Sequence, residues 1–104
     1  MSLKVLKQGP FFLEGGFMLK DLEKYVDELN SIYCYKSKNH LVIREMGCHY
    51  QVCLTGKNAK EGLKTRYFGI TNGFAEPIVT LRCLKECEKY GWLRSVINRY
   101  DRRI

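Results

Sequence analysis

The 104-residue sequence lacks any apolar run approaching the roughly 18 to 20 residues that would span a bilayer, so no segment is predicted to cross a membrane. It also lacks a glycine-rich phosphate loop and a pair of neighbouring carboxylates, the features that support phosphoryl transfer and general acid-base chemistry. The two histidines, His40 and His49, are isolated from each other along the chain. We therefore predict neither an enzyme nor a bound cofactor.

The composition favours one folded domain, since 45% of the residues are hydrophobic and 12% are aromatic. Nothing resembles a secretory signal peptide, and we expect the five cysteines to remain thiols in a reducing, intracellular compartment, which is the cytoplasm, or the nucleoid or nucleus if the protein is bound to DNA. A zinc site is not predicted, because Cys48 and Cys53 would point to opposite faces of a strand.

The basic charge is confined to the later part of the chain. Residues 1–35 carry four Lys and five acidic residues, whereas residues 36–104 carry fourteen Lys or Arg and six acidic residues. A basic patch of this kind attracts nucleic acid, an anionic membrane surface or an acidic protein.

The first seventeen residues are predicted to be an N-terminal extension, and residues 18–104 a single domain with a basic C-terminal tail. Residues 3–10, LKVLKQGP, match the expression-linker sequence LEVLFQGP at six of eight places, which would make Met18 the candidate start. A short native strand at residues 11–13 is the alternative.

An amphipathic helix is predicted over residues 18–33, followed by three strands. Apolar residues recur in the helix at three- and four-residue steps: Leu19, Leu22, Val26, Leu29 and Ile32. The strand segments are HLVIREM (40–46), CHYQVCL (48–54) and TRYFGI (65–70), in which apolar and polar residues alternate.

A second helix is predicted after TNGFAEP (71–77), with Asn72 as the candidate N-cap and Pro77 in the first turn. Gly91 is expected to end this helix in a left-handed conformation, with Trp92 folding back on the last turn. The tail is predicted to form one more short helix with a basic face. The fold class is therefore α+β, a three-stranded antiparallel sheet packed on helices in the order α-β-β-β-α.

In this arrangement one face of the sheet is left open, and its side chains suit nucleic acid. Arg and Gln can make paired hydrogen bonds to base edges, Tyr and His can stack or contact phosphate, and Lys neutralises the backbone. The strands are predicted to present Val42 and Cys53 beside these groups. The candidate nucleic-acid-binding residues on the sheet, the loop and the tail are Arg44, His49, Gln51, Lys57, Lys60, Lys64, Thr65, Tyr67, Arg94 and Arg99.

Residues 38–92 resemble the DNA-binding domain of the plant ethylene-response factors and its microbial relatives in phage integrases and homing-endonuclease-like proteins. The segments that carry the resemblance are LVIREMGCHYQVCLTGK, TRYFGI and CLKECEKYGW. The resemblance implies a sheet inserted in the major groove of duplex DNA, with outward strand residues reading bases, as in a transcription regulator or an integrase-like domain.

Two other functions are compatible with the sequence. The same order of elements resembles the double-stranded-RNA-binding domain, which recognises A-form shape through its helices and a strand loop. The third hypothesis is a protein-interaction module of a phage or mobile element, whose open sheet docks an acidic partner.

Overall fold

The computed structural model describes residues 14–58 and 66–102, with side chains described from residue 19 onwards. The elements of these two ranges are α1 (Glu14–Tyr33), β1 (Asn39–Met46), β2 (His49–Gly56), β3 (Phe68–Gly69), α2 (Pro77–Lys89) and α3 (Trp92–Asp101). The predicted α+β class and the α-β-β-β-α order are confirmed, and α3 is the additional helix predicted in the tail.

The first helix starts at Glu14, inside the segment that the sequence assigns to the N-terminal extension. Residues 1–13 lie outside the described residues, and with them the linker-like segment and the alternative short strand. Leu22, Val26 and Leu29 are buried as predicted, but Ile32 is 64% exposed. Tyr33 takes this place on the buried stripe. It follows Leu29 by four residues, and residues four apart lie on the same face of a helix.

The hairpin of β1 and β2 has the alternation that the sequence predicts. Its register runs from Asn39 opposite Gly56 to Met46 opposite His49. Gly47 makes the connecting turn with a φ of 63°, a left-handed conformation that costs glycine little.

The third strand is shorter than predicted and is followed by an irregular stretch. The backbone N–H groups of Ile70 and Thr71 both donate to the carbonyl of Val52, at 2.8 and 3.2 Å. The Thr71 hydroxyl also accepts the Val52 N–H at 3.1 Å, and so takes the place of a backbone carbonyl in the ladder. The stretch after β3 contains more residues than the part of β2 that it faces. Pairing with β2 therefore resumes only at Phe74, which lies opposite Tyr50.

The pairing of Phe74 with Tyr50 also explains why Asn72 is not the N-cap of α2. Phe74 still pairs with β2, and Glu76 is the N-cap, with Pro77 as the first helical residue. Gly91 has a φ of 76°, as predicted for the end of this helix. Trp92 is the first residue of α3, and its ring centroid is 6.3 Å from that of Phe68.

All three helices lie on one side of the sheet. They share one hydrophobic core with the strand residues of the helix-facing side, and the buried members of that core include Leu22, Leu41, Val52, Leu54, Leu84, Leu93 and Ile97. The helices therefore leave the opposite face of the sheet uncovered. In the described part of the chain, no helix has the length and apolar character needed to cross a membrane.

Candidate nucleic-acid interface

The predicted base-reading residues of β1 and β2 lie on the face of the sheet that the helices leave uncovered. Arg44 is opposite Gln51, and Val42 is opposite Cys53, so these four side chains share a face by alternation. We call this surface the outer face and include His49, which is exposed at the hairpin end of β2. In the folded chain, Arg44 and Gln51 on this face contact other groups of the protein, and the sequence does not show these contacts.

Arg44 and Tyr67 form a stacked pair across the outer face. The guanidinium carbon of Arg44 lies 4.3 Å from the centroid of the Tyr67 ring. The pair spans the central strand beside Cys53, which is only 1% exposed. Burial raises the pKa of the Cys53 thiol, and the nearby charge of Arg44 partly opposes that rise. The prediction that Cys53 is presented to solvent is therefore wrong.

Gln51 is held by a hydrogen bond to the edge of the sheet. Its Nε2 donates to the carbonyl of Thr71 at 2.9 Å. A Cβ on Gly69 would lie 2.6 Å from this Nε2, so the missing side chain of Gly69 provides the space for the contact. One of the two N–H hydrogens of the Gln51 amide, the group that would donate to N7 of an adenine, is thus already in use.

The hairpin turn presents Cys48 and His49 together. Cys48 lies in the turn and not in β2, and its Sγ is 3.5 Å from Nδ1 of His49. The sequence predicts a strand over residues 48–54, but the observed strand begins at His49, so strand alternation does not separate the side chains of Cys48 and His49. All five cysteines are free thiols. Within residues 14–58 and 66–102, no three His, Cys, Asp or Glu side chains come together as a metal site would require.

Lys57 lies far from Arg44, at the opposite end of the hairpin. Its Nζ donates to the carbonyl of Cys34 at 2.7 Å, just beyond the C-terminus of α1. The same carbonyl accepts the backbone N–H of Ser37 at 3.2 Å, and a cation in this position opposes the negative end of the helix dipole. The side chain is exposed, so its ammonium group still faces solvent. Lys60, Lys64 and Thr65 lie outside the described residues.

Arg94 and Arg99 lie on α3, in the helical layer, and therefore do not belong to the outer face. The guanidinium of Arg94 is 4.9 Å from the ring centroid of Tyr33. The Tyr33 hydroxyl donates to Oε2 of Glu88 at 2.6 Å, and this hydrogen bond raises the pKa of Tyr33. The candidate residues that the structure describes therefore lie in separate parts of the fold: on the outer face, just after β2 and on α3.

Contacts between distant segments bring several basic side chains to one end of the molecule. The Lys57 N–H donates to the Lys38 carbonyl at 2.9 Å, and Asp101 accepts hydrogen bonds from Ser37 and Asn39 at 2.6 and 3.0 Å. Nearby, the Thr55 hydroxyl donates to the carbonyl of Arg66 at 2.9 Å. We call this region the basic end, and its exposed cationic residues are Lys36, Lys38, Lys57, Arg66, Arg94, Arg99 and Arg102.

The acidic groups described at the basic end are themselves engaged. Asp101 holds the loop before β1 through its two hydrogen bonds, and Glu88 accepts the hydroxyl of Tyr33. Lys36, Lys38 and Arg66 were not among the candidate residues from the sequence. The hairpin register is the signal that would have found them, since it brings the segment before β1 next to the segment after β2.

The outer surface of α1 has the opposite character. Its exposed carboxylates are Asp21, Glu23, Asp27 and Glu28, interspersed with Lys20 and Lys24. The domain therefore has an electrostatic polarity, with an acidic helix on one side and the basic end beyond the C-terminus of that helix. Comparison with protein-family models, curated proteins and solved structures gave no significant match.

Proposed function

We propose that this domain binds nucleic acid, with duplex DNA as the first candidate. The observation that carries the proposal is the basic end, where seven exposed cationic side chains from separate segments of the chain converge. Such clusters neutralise phosphates and release the counterions condensed on a nucleic acid, which supplies most of the sequence-independent affinity.

The outer face adjoins the basic end, because Arg66 is followed directly by Tyr67 and Tyr67 stacks on Arg44. A guanidinium that packs over an aromatic ring loses side-chain freedom, which restricts the orientation of its planar fork of donors. In the proposed mode the basic end contacts the phosphate backbone, and Arg44 is the side chain best placed to contact a base edge. Gln51 is a weaker candidate for base reading than the sequence suggested, since it is tied to Thr71.

The double-stranded-RNA hypothesis relies on contacts from the helices, and the charges of this chain oppose that mode. The exposed surface of α1 carries four carboxylates, which repel phosphate. The first turn of α2 follows Glu76 and contains no basic residue. These observations favour the sheet and the basic end over α1 and α2 as the binding surface.

The test is a titration of random duplex DNA, duplex RNA and single strands at several salt concentrations. In one variant Lys38, Arg66 and Arg99 become Gln, and we expect the slope of log K against log salt on duplex DNA to flatten by about 2 to 3, since each phosphate contact contributes about 0.9.

The matched control removes the same charge elsewhere, by changing Lys20, Lys24 and Arg82 on the exposed surfaces of α1 and α2 to Gln. We expect this control to retain most of the slope, because only long-range attraction is reduced. Equal slopes for the two variants would show that net charge alone drives binding. If the unsubstituted protein bound none of the three nucleic acids, the proposal would be wrong and the protein-interaction hypothesis would take its place.

A further inference from the structure

A shallow pocket of about 300 Å³ opens between the C-terminal end of α1 and the start of β1, at the margin of the basic end. Its size lies at the lower limit of small-molecule sites, which suits a single aromatic group better than a larger ligand. The pocket is lined by Asn30, Ser31, Cys34, Tyr35, His40 and Lys57.

Two walls of the pocket are fixed by hydrogen bonds. The side-chain amide of Asn30 accepts the N–H of Leu41 at 2.7 Å and donates to its carbonyl at 3.0 Å. It therefore holds the outer edge of β1 as a neighbouring strand would. Lys57 is anchored on the Cys34 carbonyl, which places a positive charge at the rim. The site is consequently preformed on the side of α1 and on the side of β1.

The remaining walls offer an aromatic surface and a neutral imidazole. Tyr35 is 76% exposed, which is unusual for a large ring with no described ring partner in residues 14–58 and 66–102. His40 is half-buried, and burial, together with the charge of Lys57, lowers the pKa of His40 below its ordinary value of 6.5. At neutral pH the imidazole is therefore uncharged, with one nitrogen donating and the other accepting hydrogen bonds.

We propose that this pocket receives an unpaired nucleobase of a bound nucleic acid, stacked on Tyr35 and hydrogen-bonded by His40, with the adjoining phosphate at Lys57. The inference rests on the proposed function and adds to it a preference for ligands with an unpaired nucleotide. Aromatic rings beside cations are the usual means of binding unpaired bases, because every base has a face that can stack.

The experiment compares three ligands of equal duplex length: a blunt duplex, a duplex with a single-stranded overhang, and a duplex whose overhang has the same phosphates but abasic sugars. We expect the overhang to strengthen binding by about 5- to 150-fold, the range that one stacked base gives. The abasic overhang should lose most of that gain. A free nucleoside monophosphate, the other source of the same chemistry, should compete only at far higher concentration because it lacks the duplex contacts.

The variant Tyr35→Ala should bind the overhang and the blunt duplex alike, whereas Tyr35→Phe should retain the preference. Neither substitution threatens the core, since this ring is largely in solvent. If Tyr35→Ala kept the full gain, or if the abasic overhang gave it as well, the base would not be in the pocket. Equal affinity of the unsubstituted protein for blunt and overhanging duplex would remove this inference and leave the proposed function standing, whereas failure to bind any nucleic acid would remove both.

Discussion

Replacing Arg44 separates base reading from phosphate attraction in the proposed mode. Arg44→Lys keeps the charge but loses the planar fork and the stacking on Tyr67, whereas Arg44→Ala loses all three. The Arg44 side chain is exposed, and a stacked cation at such a site contributes about 0.5–1 kcal/mol to stability. Both variants should therefore fold, with a small decrease in the free energy of unfolding.

The expected effect on binding is larger than the effect on folding. A bidentate contact between an arginine and a base edge contributes about 1–3 kcal/mol of discrimination, equivalent to about 5- to 150-fold in affinity for a preferred site. We expect both Arg44→Lys and Arg44→Ala to lose this discrimination in a competition assay against a randomised duplex library at fixed salt. Only Arg44→Ala should also lose general affinity. Arg82→Lys and Arg82→Ala are the matched controls and should keep the discrimination, since Arg82 is exposed on α2 and not on the outer face.

A thiol assay tests the structural basis of the same prediction. Cys53 is 1% exposed beside the Arg44–Tyr67 pair, so Arg44→Ala or Tyr67→Ala should speed its alkylation in the folded protein. The rate is followed at Cys53 by mass spectrometry of the labelled peptide. If sequence preference survived in Arg44→Lys, the guanidinium would not read bases. If Cys53 stayed protected in both alanine variants, the stacked pair would not be its cover.

The remaining predictions concern stability. Thr71→Val leaves the buried N–H of Val52 without its hydroxyl acceptor and should cost about 1–3 kcal/mol in chemical denaturation. Thr80→Val should cost less, about 0.5–1 kcal/mol. The Tyr50 carbonyl that accepts the Thr80 hydroxyl at 2.9 Å also accepts a backbone N–H, so it keeps a partner in the variant. Equal losses of stability in the two variants would refute this reasoning. His40 has a pKa below 6.5 in the folded protein, so the unfolded chain binds more protons and stability should fall as the pH drops below 6.5. The measurement is the midpoint of chemical denaturation at a series of pH values. In His40→Asn the decrease of this midpoint below pH 6.5 should disappear, and an unchanged decrease would exclude His40 as its source.

The alternation of the hairpin could be predicted because it follows from the geometry of a strand. Leu41, Val52 and Leu54 face the core, and Arg44 and Gln51 face away from it, as a period of two requires. The helical stripe was predicted nearly as well, and its one error, Ile32, arose where a three-residue and a four-residue step were equally compatible with the pattern. Local periodicity therefore determines which side of an element a residue occupies.

Periodicity does not determine what a polar side chain does after it reaches its face. Gln51 bonds to Thr71, twenty positions later, and Lys57 bonds to Cys34, twenty-three positions earlier. Both acceptors are backbone carbonyls, one in the irregular stretch after β3 and one just beyond the end of α1. Since those carbonyls come within reach of the two side chains only in the folded chain, the sequence could identify both side chains as polar and outward but not as already engaged.

The charge distribution links the fold to the way the domain would meet a polyanion. The carboxylates exposed on α1 repel phosphate along one side of the molecule, while the loop before β1 and the end of α3 bring cations from both halves of the chain to the basic end. In the proposed mode, an approaching nucleic acid would be steered to the basic end before any base is contacted. Long-range attraction of this kind acts mainly on the association rate, whereas a close contact acts mainly on dissociation. The proposal therefore assigns the association rate to the basic end, and the dissociation rate to contacts made by Arg44 on the outer face and by Tyr35 at the pocket.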